Sequence, residues 1–273
     1  MSLRLGLALM IAGLAAASAG HAAIAPGSHY VAMGSSYAAG PGITTPADNP
    51  LTRCARSQDN YAHQVARRLK LNLTDASCSG ATTANLLGAW RELPAQVEAV
   101  TADTRLVTIT IGGNDLNFVG NLDAASCRAT SGTSCGTVKA PVEADYAALD
   151  KALYALVAAI RQRAPAARIV FVEYPVVLPA TGTCAATPMA ADEADMIRAT
   201  ATRQLAITDA VATAEKTDVV DFAARSTGHD ACAPDPWIAG YLDASGAHAK
   251  VPYHPNLESM MVQADDIVAL VAR

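Results

Sequence analysis

The chain has 273 residues, of which 51% are hydrophobic, and its formal net charge is −5. A chain of this length can bury an extensive core, and a single α/β domain accounts for all of it. The mildly acidic charge, without clusters of Lys or Arg, excludes a nucleic-acid partner held through its phosphates.

The first residues have the pattern of a secretory signal peptide. Arg4 precedes an apolar run at residues 5–17, and small residues follow as far as Ala23. We therefore predict a signal peptide at residues 1–23 and one mature domain at residues 24–273. Because the apolar run is shorter than the ~20 residues that span a bilayer, we expect an exported extracellular or periplasmic protein without stable membrane insertion.

Strands and helices are predicted to alternate along the rest of the chain. The predicted strands are residues 29–33, 71–76, 105–111, 168–173 and 218–222. The predicted helices are residues 58–69, with Ser57 as cap, 82–89, 93–100, 141–163, 190–216 and 256–271, and the stretch around Cys127 and Cys135 is predicted to be loop. This alternation predicts an α/β protein, a three-layer α/β/α sandwich with a central parallel sheet in a flavodoxin-like layout.

The clearest strand, residues 105–111, is almost continuously apolar or β-branched, as in a sheet covered on both faces. It stops at Gly112 and Gly113, so Asn114 is placed at the carboxyl end of a central strand. In open α/β sheets this edge is where ligands bind. We therefore expect the functional site there.

The cysteines form an even set in a chain expected to be exported, which favours disulfides. None forms a two-residue-spaced pair with nearby histidines, so we expect no zinc site and no other metal. The sequence alone leaves the connectivity open. The six are Cys54, Cys78, Cys127, Cys135, Cys184 and Cys232.

Four short blocks carry the groups that ester cleavage requires. They are Gly-Ser-Ser-Tyr at residues 34–37, Cys-Ser-Gly-Ala-Thr-Thr at 78–83, Gly-Gly-Asn-Asp at 112–115 and His-Pro-Asn at 254–256. Together they supply a hydroxyl nucleophile, a backbone N–H, a side-chain amide and an imidazole base. This set indicates a serine hydrolase.

In their order and surroundings the blocks resemble the SGNH or GDSL hydrolases, especially the secreted actinobacterial-type lipases and esterases. The resemblance extends from about residue 29 to the C-terminal helix. It implies that Ser36 is the nucleophile and His254 the general base. It also implies an oxyanion hole formed by the backbone N–H groups of Ser36 and Gly80 and the side-chain amide of Asn114. Asp115 is structural in the family pattern and stays outside the catalytic set.

The first block departs from the family at Ser35, where relatives carry aspartate. A serine there keeps a local hydrogen bond but carries no charge. Two neighbouring hydroxyls also leave an alternative open, in which Ser35 attacks in place of Ser36.

The fourth block lacks the aspartate that many relatives carry three residues before the histidine, where this chain has Val251. A backbone carbonyl can hold the second ring nitrogen instead, as in the Ser-His dyads of the actinobacterial-type branch. We expect the Val251 carbonyl to face Nδ1 of His254. The alternative is a distant acid that folds in, from Asp230, Asp235 or Asp243.

The resemblance also suggests sequential disulfides, Cys54–Cys78, Cys127–Cys135 and Cys184–Cys232. It implies a monomeric lipase or carboxylesterase that hydrolyses lipid or small-molecule esters without a cofactor. Alternatives on the same fold are a polysaccharide acetylesterase or a phospholipase, and a degenerate, non-catalytic exported binding module is a third. An apolar tunnel favours acyl chains, whereas an open groove with exposed aromatic side chains favours sugars.

Overall fold

A five-stranded, all-parallel sheet forms the centre of the protein in the computed structural model, which describes residues 23–243 and 245–272. Its strands lie in the order β2-β1-β3-β4-β5. Their bounds are β1 His29–Gly34, β2 Asn72–Asp75, β3 Thr104–Thr110, β4 Arg168–Val172 and β5 Asp218–Val220. The predicted signal peptide lies outside the described residues except for Ala23.

Helices cover both faces of the sheet. They are α1 Ser36–Ala39, α2 Tyr61–Leu69, α3 Thr83–Leu87, α4 Phe118–Ala129, α5 Glu143–Arg163, α6 Ala191–Glu215, α7 Phe222–Arg225 and α8 Leu257–Val271. Successive strand residues point to opposite faces. In β3, Leu106 packs in the cluster with α2 and α8, whereas Val107 and Ile109 pack in the cluster with α3 and α5. The predicted three-layer α/β/α sandwich is confirmed.

Two element predictions differ in their bounds or type. The helix expected from residue 58 begins at Tyr61 and is capped by Asn60, whose side chain accepts from the His63 N–H, rather than by Ser57. The helix expected at residues 93–100 is a single 3-10 turn, Gln96–Ala99. At the first of these helices the capping hydrogen bond of Asn60, rather than the apolar spacing, determines where the helix begins.

Helix α4 occupies much of a stretch that was predicted to be loop. Its sequence contains Gly120, Asn121 and Asp123, which are weak helix formers. The helix packs against α6 and buries Phe118 and Leu122. Tertiary packing therefore outweighs the local propensity.

The disulfides have the sequential pairing that the resemblance suggests. They join Cys54 to Cys78, Cys127 to Cys135, and Cys184 to Cys232. Within the described ranges, no helix has the length and apolar character needed to cross a bilayer.

Candidate active site

The four sequence blocks meet at the carboxyl edge of the sheet. β1 and β3 are paired in parallel register up to Gly34 and Thr110, and the Ser35 N–H continues this ladder to the Thr110 carbonyl at 3.0 Å. Ser36 then opens α1, and Asn114 follows β3 after the glycine pair. Parallel strands bring their carboxyl ends to one edge.

Ser36 and His254 are in direct contact. The Oγ of Ser36 lies 2.8 Å from Nε2 of His254, and the serine is 7% exposed. Nδ1 of the same ring lies 2.6 Å from the carbonyl oxygen of Pro252. A carbonyl can only accept, so Nδ1 carries the proton and Nε2 is left to accept from the serine hydroxyl.

Burial lowers the pKa of His254, and the hydrogen bond to the Pro252 carbonyl opposes that shift. A buried imidazole loses hydration that its charged form needs, so the neutral ring is favoured. The structure thus holds the ring in the tautomer and charge state of a general base.

The carbonyl on Nδ1 corrects the sequence prediction, which named Val251. Tyr253 has a φ of 59°, so the chain turns back just before His254. The Tyr253 N–H donates to the Ala239 carbonyl at 2.9 Å and fixes the turn. This reversal presents the nearer carbonyl, that of Pro252, to the ring.

The distant acids considered from the sequence are engaged elsewhere. Asp230 accepts from the Cys232 N–H, Asp235 lies 3.5 Å from Nδ1 of His229, and Asp243 accepts from Ser245. Among the described residues, Ser36 and Pro252 are the hydrogen-bond partners of the His254 ring. A backbone carbonyl therefore occupies the place of the third member of a triad.

The donors proposed for an oxyanion hole lie on blocks that are joined by hydrogen bonds, since the Cys78 N–H donates to the Gly34 carbonyl at 3.0 Å. Within the described ranges, the N–H groups of Ser36 and Gly80 have no hydrogen-bond acceptor. Gly80 is exposed and has a φ of +83°, a conformation that favours glycine. Nδ2 of Asn114 donates to the Ala81 carbonyl at 2.8 Å, which leaves its second hydrogen for a ligand.

Two further contacts brace these blocks. Asp115 accepts from the N–H and hydroxyl of Thr83, which supports the structural role expected from the family pattern. The side chain of Gln96 accepts from the Gly34 N–H at 2.8 Å and donates to the Gly34 carbonyl at 3.0 Å. Gln96 lies on a short 3-10 turn without a motif of its own, so the sequence gives no sign of this contact.

Ser35 does not face the base. Its Oγ lies 2.8 Å from the hydroxyl of Tyr174, and the residue is 1% exposed. The Gly113 N–H donates to the same tyrosine oxygen at 3.3 Å. The geometry therefore favours Ser36, rather than Ser35, as the nucleophile.

Two cavities lie near this edge. One of about 220 Å³ is lined by His254 together with Ile43, Val251 and Leu257. The other, of about 730 Å³, lies against α6 and the segment after β4, with Tyr174 in its wall. For metals, the described residues contain no group of three or more His, Cys, Asp or Glu side chains that could hold an ion.

A buried serine hydroxyl on a neutral imidazole, at the carboxyl edge of a covered parallel sheet, is the arrangement of a serine hydrolase. Comparison with known proteins gives the same class. The GDSL-like Lipase/Acylhydrolase family matches residues 32–260. The chain belongs to this family, which confirms the prediction made from the four blocks.

Lipases and a phospholipase A1 of Streptomyces are among the similar proteins. Lipase 2 of Streptomyces coelicolor is 37% identical over 241 residues, which cover 80% of this chain and 77% of that protein. The crystal structure of phospholipase A1 from Streptomyces albidoflavus has a TM-score of 0.70 at 25% identity and covers 90% of this chain and 98% of its own. The extracellular lipase of Streptomyces rimosus has a TM-score of 0.68 at 26% identity, with 89% and 98% covered.

Proposed function

We propose that the chain is an exported serine esterase that cleaves acyl esters with a Ser36–His254 dyad. The 2.8 Å contact between Ser36 Oγ and His254 Nε2 is the observation that supports this most directly. The hydroxyl attacks the ester carbonyl carbon while its proton moves to Nε2. Nε2 then gives that proton to the leaving alcohol as the ester C–O bond breaks.

Water completes the cycle. His254 takes a proton from a water molecule, the resulting hydroxide attacks the acyl carbon, and the Ser36–acyl bond breaks. The proton returns to Ser36, and the free acid leaves. The Pro252 carbonyl, 2.6 Å from Nδ1, keeps the ring aligned and accepts from the imidazolium through both half-reactions.

The tetrahedral intermediate carries a negative oxygen in each half-reaction. Ser36 N–H, Gly80 N–H and the free hydrogen of Asn114 are the donors for it. Removing one such donor typically costs about 2.7–4 kcal/mol of transition-state stabilisation. The hole is therefore proposed to contribute as much as the base.

Lipid-like acyl esters are the proposed substrates. The relatives named above are lipases and a phospholipase A1, and the cavity beside His254 has the apolar side chains Ile43, Val251 and Leu257 in its wall. Apolar walls suit hydrocarbon groups. Acetylxylan esterase Axe2 of Geobacillus stearothermophilus, at 16% identity and a TM-score of 0.56, shares the fold and gives no support for a sugar substrate.

Export is supported by the charged and apolar start of the sequence and by the disulfides, which persist in oxidising compartments. It is also consistent with the extracellular lipase among the similar structures. Amino-terminal sequencing of the protein from the culture medium tests it. We expect the mature chain to begin near residue 24.

A panel of p-nitrophenyl esters of increasing acyl length, with an acetylated xylooligosaccharide, tests the catalytic proposal. We expect hydrolysis of the acyl esters, and a loss of at least about 10⁴-fold in kcat for Ser36→Ala. Ser134→Ala, at an exposed loop serine, is the matched control and should retain full activity. Equal rates for the wild type and Ser36→Ala would refute the dyad, and no hydrolysis by either would favour a binding module.

A further inference from the structure

Tyr174 connects two segments that carry proposed oxyanion donors. It follows β4 at the carboxyl edge of the sheet and is 6% exposed. Its hydroxyl lies 2.8 Å from Ser35 Oγ and 3.3 Å from the Gly113 nitrogen. Ser35 directly precedes Ser36, and Gly113 directly precedes Asn114.

The hydroxyl can serve both partners at once. Burial raises the pKa of Tyr174 to about 12, so the phenol keeps its proton at neutral pH. A phenol oxygen accepts from the Gly113 N–H and still shares a hydrogen bond with the Ser35 hydroxyl. The link between the two segments is therefore uncharged.

The ring of Tyr174 is fixed by its neighbours. Its centroid lies 4.4 Å from that of Tyr37, and the Phe118 ring is nearly perpendicular to it, with centroids 6.4 Å apart. A Cβ on Gly113 would come within 2.9 Å of the ring, closer than real Cβ atoms approach. The ring and the backbone of Gly113 are thus packed in direct contact, and the hydroxyl has little freedom to move.

We propose that Tyr174 is a positioning residue, whose hydroxyl holds the Ser36 N–H and the Asn114 amide at the spacing that an oxyanion requires. The inference rests on the oxyanion hole of the proposed function. It gives a role to Ser35, where the family has aspartate, because Ser35 is the partner through which Tyr174 acts on the nucleophile segment. Misplacing catalytic groups by about 1 Å can cost about 100-fold in rate.

Tyr174→Phe removes the hydroxyl and keeps the ring. We expect kcat on p-nitrophenyl butyrate to fall about 10- to 100-fold while KM stays within about twofold, because the link acts on the transition state. Phenylboronic acid, which forms a tetrahedral adduct on the serine, should bind weaker by a similar factor. The thermal midpoint reports any separate loss of stability.

Ser35→Ala removes the other partner of the hydrogen bond between Ser35 and Tyr174. We expect a similar fall in kcat, and the double variant Ser35→Ala/Tyr174→Phe should be little worse than either single variant, because both remove one connection. A fall equal to the product of the single effects would overturn the proposed link.

Tyr30→Phe is the matched control. Tyr30 is also a fully buried tyrosine, and its hydroxyl lies 2.7 Å from that of Thr108 within the sheet. This variant should lose stability without losing kcat or affinity for the boronic acid. If Tyr174→Phe changes kcat no more than Tyr30→Phe does, the positioning role is wrong. If Ser36→Ala also keeps full activity, the proposed function itself has failed.

Discussion

The hydroxyl of Tyr37 donates a hydrogen bond to the carbonyl of Tyr253. Tyr37 directly follows Ser36, the proposed nucleophile, and Tyr253 directly precedes His254, the proposed base. The Tyr37 ring also lies beside the imidazole of His254, with centroids 5.1 Å apart. The Tyr37 side chain therefore connects the segment that carries the Ser36 hydroxyl with the turn that carries the His254 imidazole.

Tyr37→Phe should lower kcat about tenfold with little change in KM, because the turn before His254 loses its tie to the serine segment. The rate at which a fluorophosphonate labels Ser36 should fall by the same factor. Steady-state kinetics and mass spectrometry of the labelled peptide measure both. A labelling rate equal to that of the wild type would show that the turn holds without Tyr37.

Asn114→Ala should reduce kcat by about 10²- to 10³-fold while KM changes little, because the amide binds charge that develops in the transition state. Asn72→Ala is the matched control, since that exposed amide donates to the Gly27 carbonyl at the far end of the sheet. It should retain activity. An Asn114→Ala variant that loses affinity for substrate at unchanged kcat would contradict the oxyanion role.

The pH profile of kcat/KM should show one basic group with a pKa below the ordinary 6.5 of histidine, because burial disfavours the charged ring of His254. Activity should therefore persist as the solution becomes mildly acidic and fall once the ring takes a proton. Initial rates from pH 4 to 9 on an ester with a non-titrating leaving group measure it. An inflection above 6.5 would point to a carboxylate near the ring.

The contribution of Glu173 to stability should decrease as the pH rises from about 4.5 to 8, because burial, with Asp209 and Asp221 nearby, raises the pKa of Glu173 to about 8. Between about pH 4.5 and 8 the folded state keeps the Glu173 proton, whereas the unfolded chain releases it. The stabilising contribution of Glu173 is therefore complete below the pKa of the unfolded chain and is lost above the pKa of the folded state. Urea unfolding at several pH values measures the trend.

Glu173→Gln should remove this part of the pH dependence, because an amide does not titrate. Glu258→Gln, at an exposed position on α8, is the control and should leave the trend unchanged. If the free energy of unfolding falls with pH as steeply in Glu173→Gln as in the wild type, Glu173 is not the group responsible.

Removing the Cys54–Cys78 disulfide by Cys54→Ser/Cys78→Ser should cost roughly 3 kcal/mol of stability and also reduce kcat. The Cys78 N–H donates to the Gly34 carbonyl at 3.0 Å, and the Ser79 N–H donates to the Cys54 carbonyl at 3.1 Å. The disulfide therefore holds residues 78–79, just before Gly80, against the end of β1, which leads to Ser36. Cys127→Ser/Cys135→Ser opens a loop with a separation of only 8 residues and should leave kcat unchanged.

The sequence predicts the sheet because strand and helix patterns are local, whereas the Ser36–His254 pair, 218 residues apart, is predicted through the resemblance of the four blocks to a known family. The β-branched run of β3 and the glycines after it place Asn114 at the edge, and the histidine block places His254 before α8. Helix α4 was missed because its helical state depends on burial against α6 rather than on its own weak helix formers.

The acceptor of the His254 ring was assigned one residue too early because the prediction followed the family spacing. The left-handed backbone at Tyr253 changes which carbonyl turns toward the ring, and a non-glycine residue gives no sign of such a φ. The hydroxyl of Tyr174 was beyond prediction for another reason, since it meets Ser35 across 139 residues of sequence. Pairings of that kind depend on the register of packed elements.

The oxygen that orients the imidazole belongs to the main chain, and this affects how the site can be lost by mutation. A single substitution could remove a carboxylate side chain from that position. A main-chain carbonyl is present whichever amino acid occupies the position. Only a rearrangement of the turn at residues 252–253 would remove it. In the proposed dyad, the main-chain oxygen stabilises the imidazolium less than a carboxylate would, but point mutations remove it less easily.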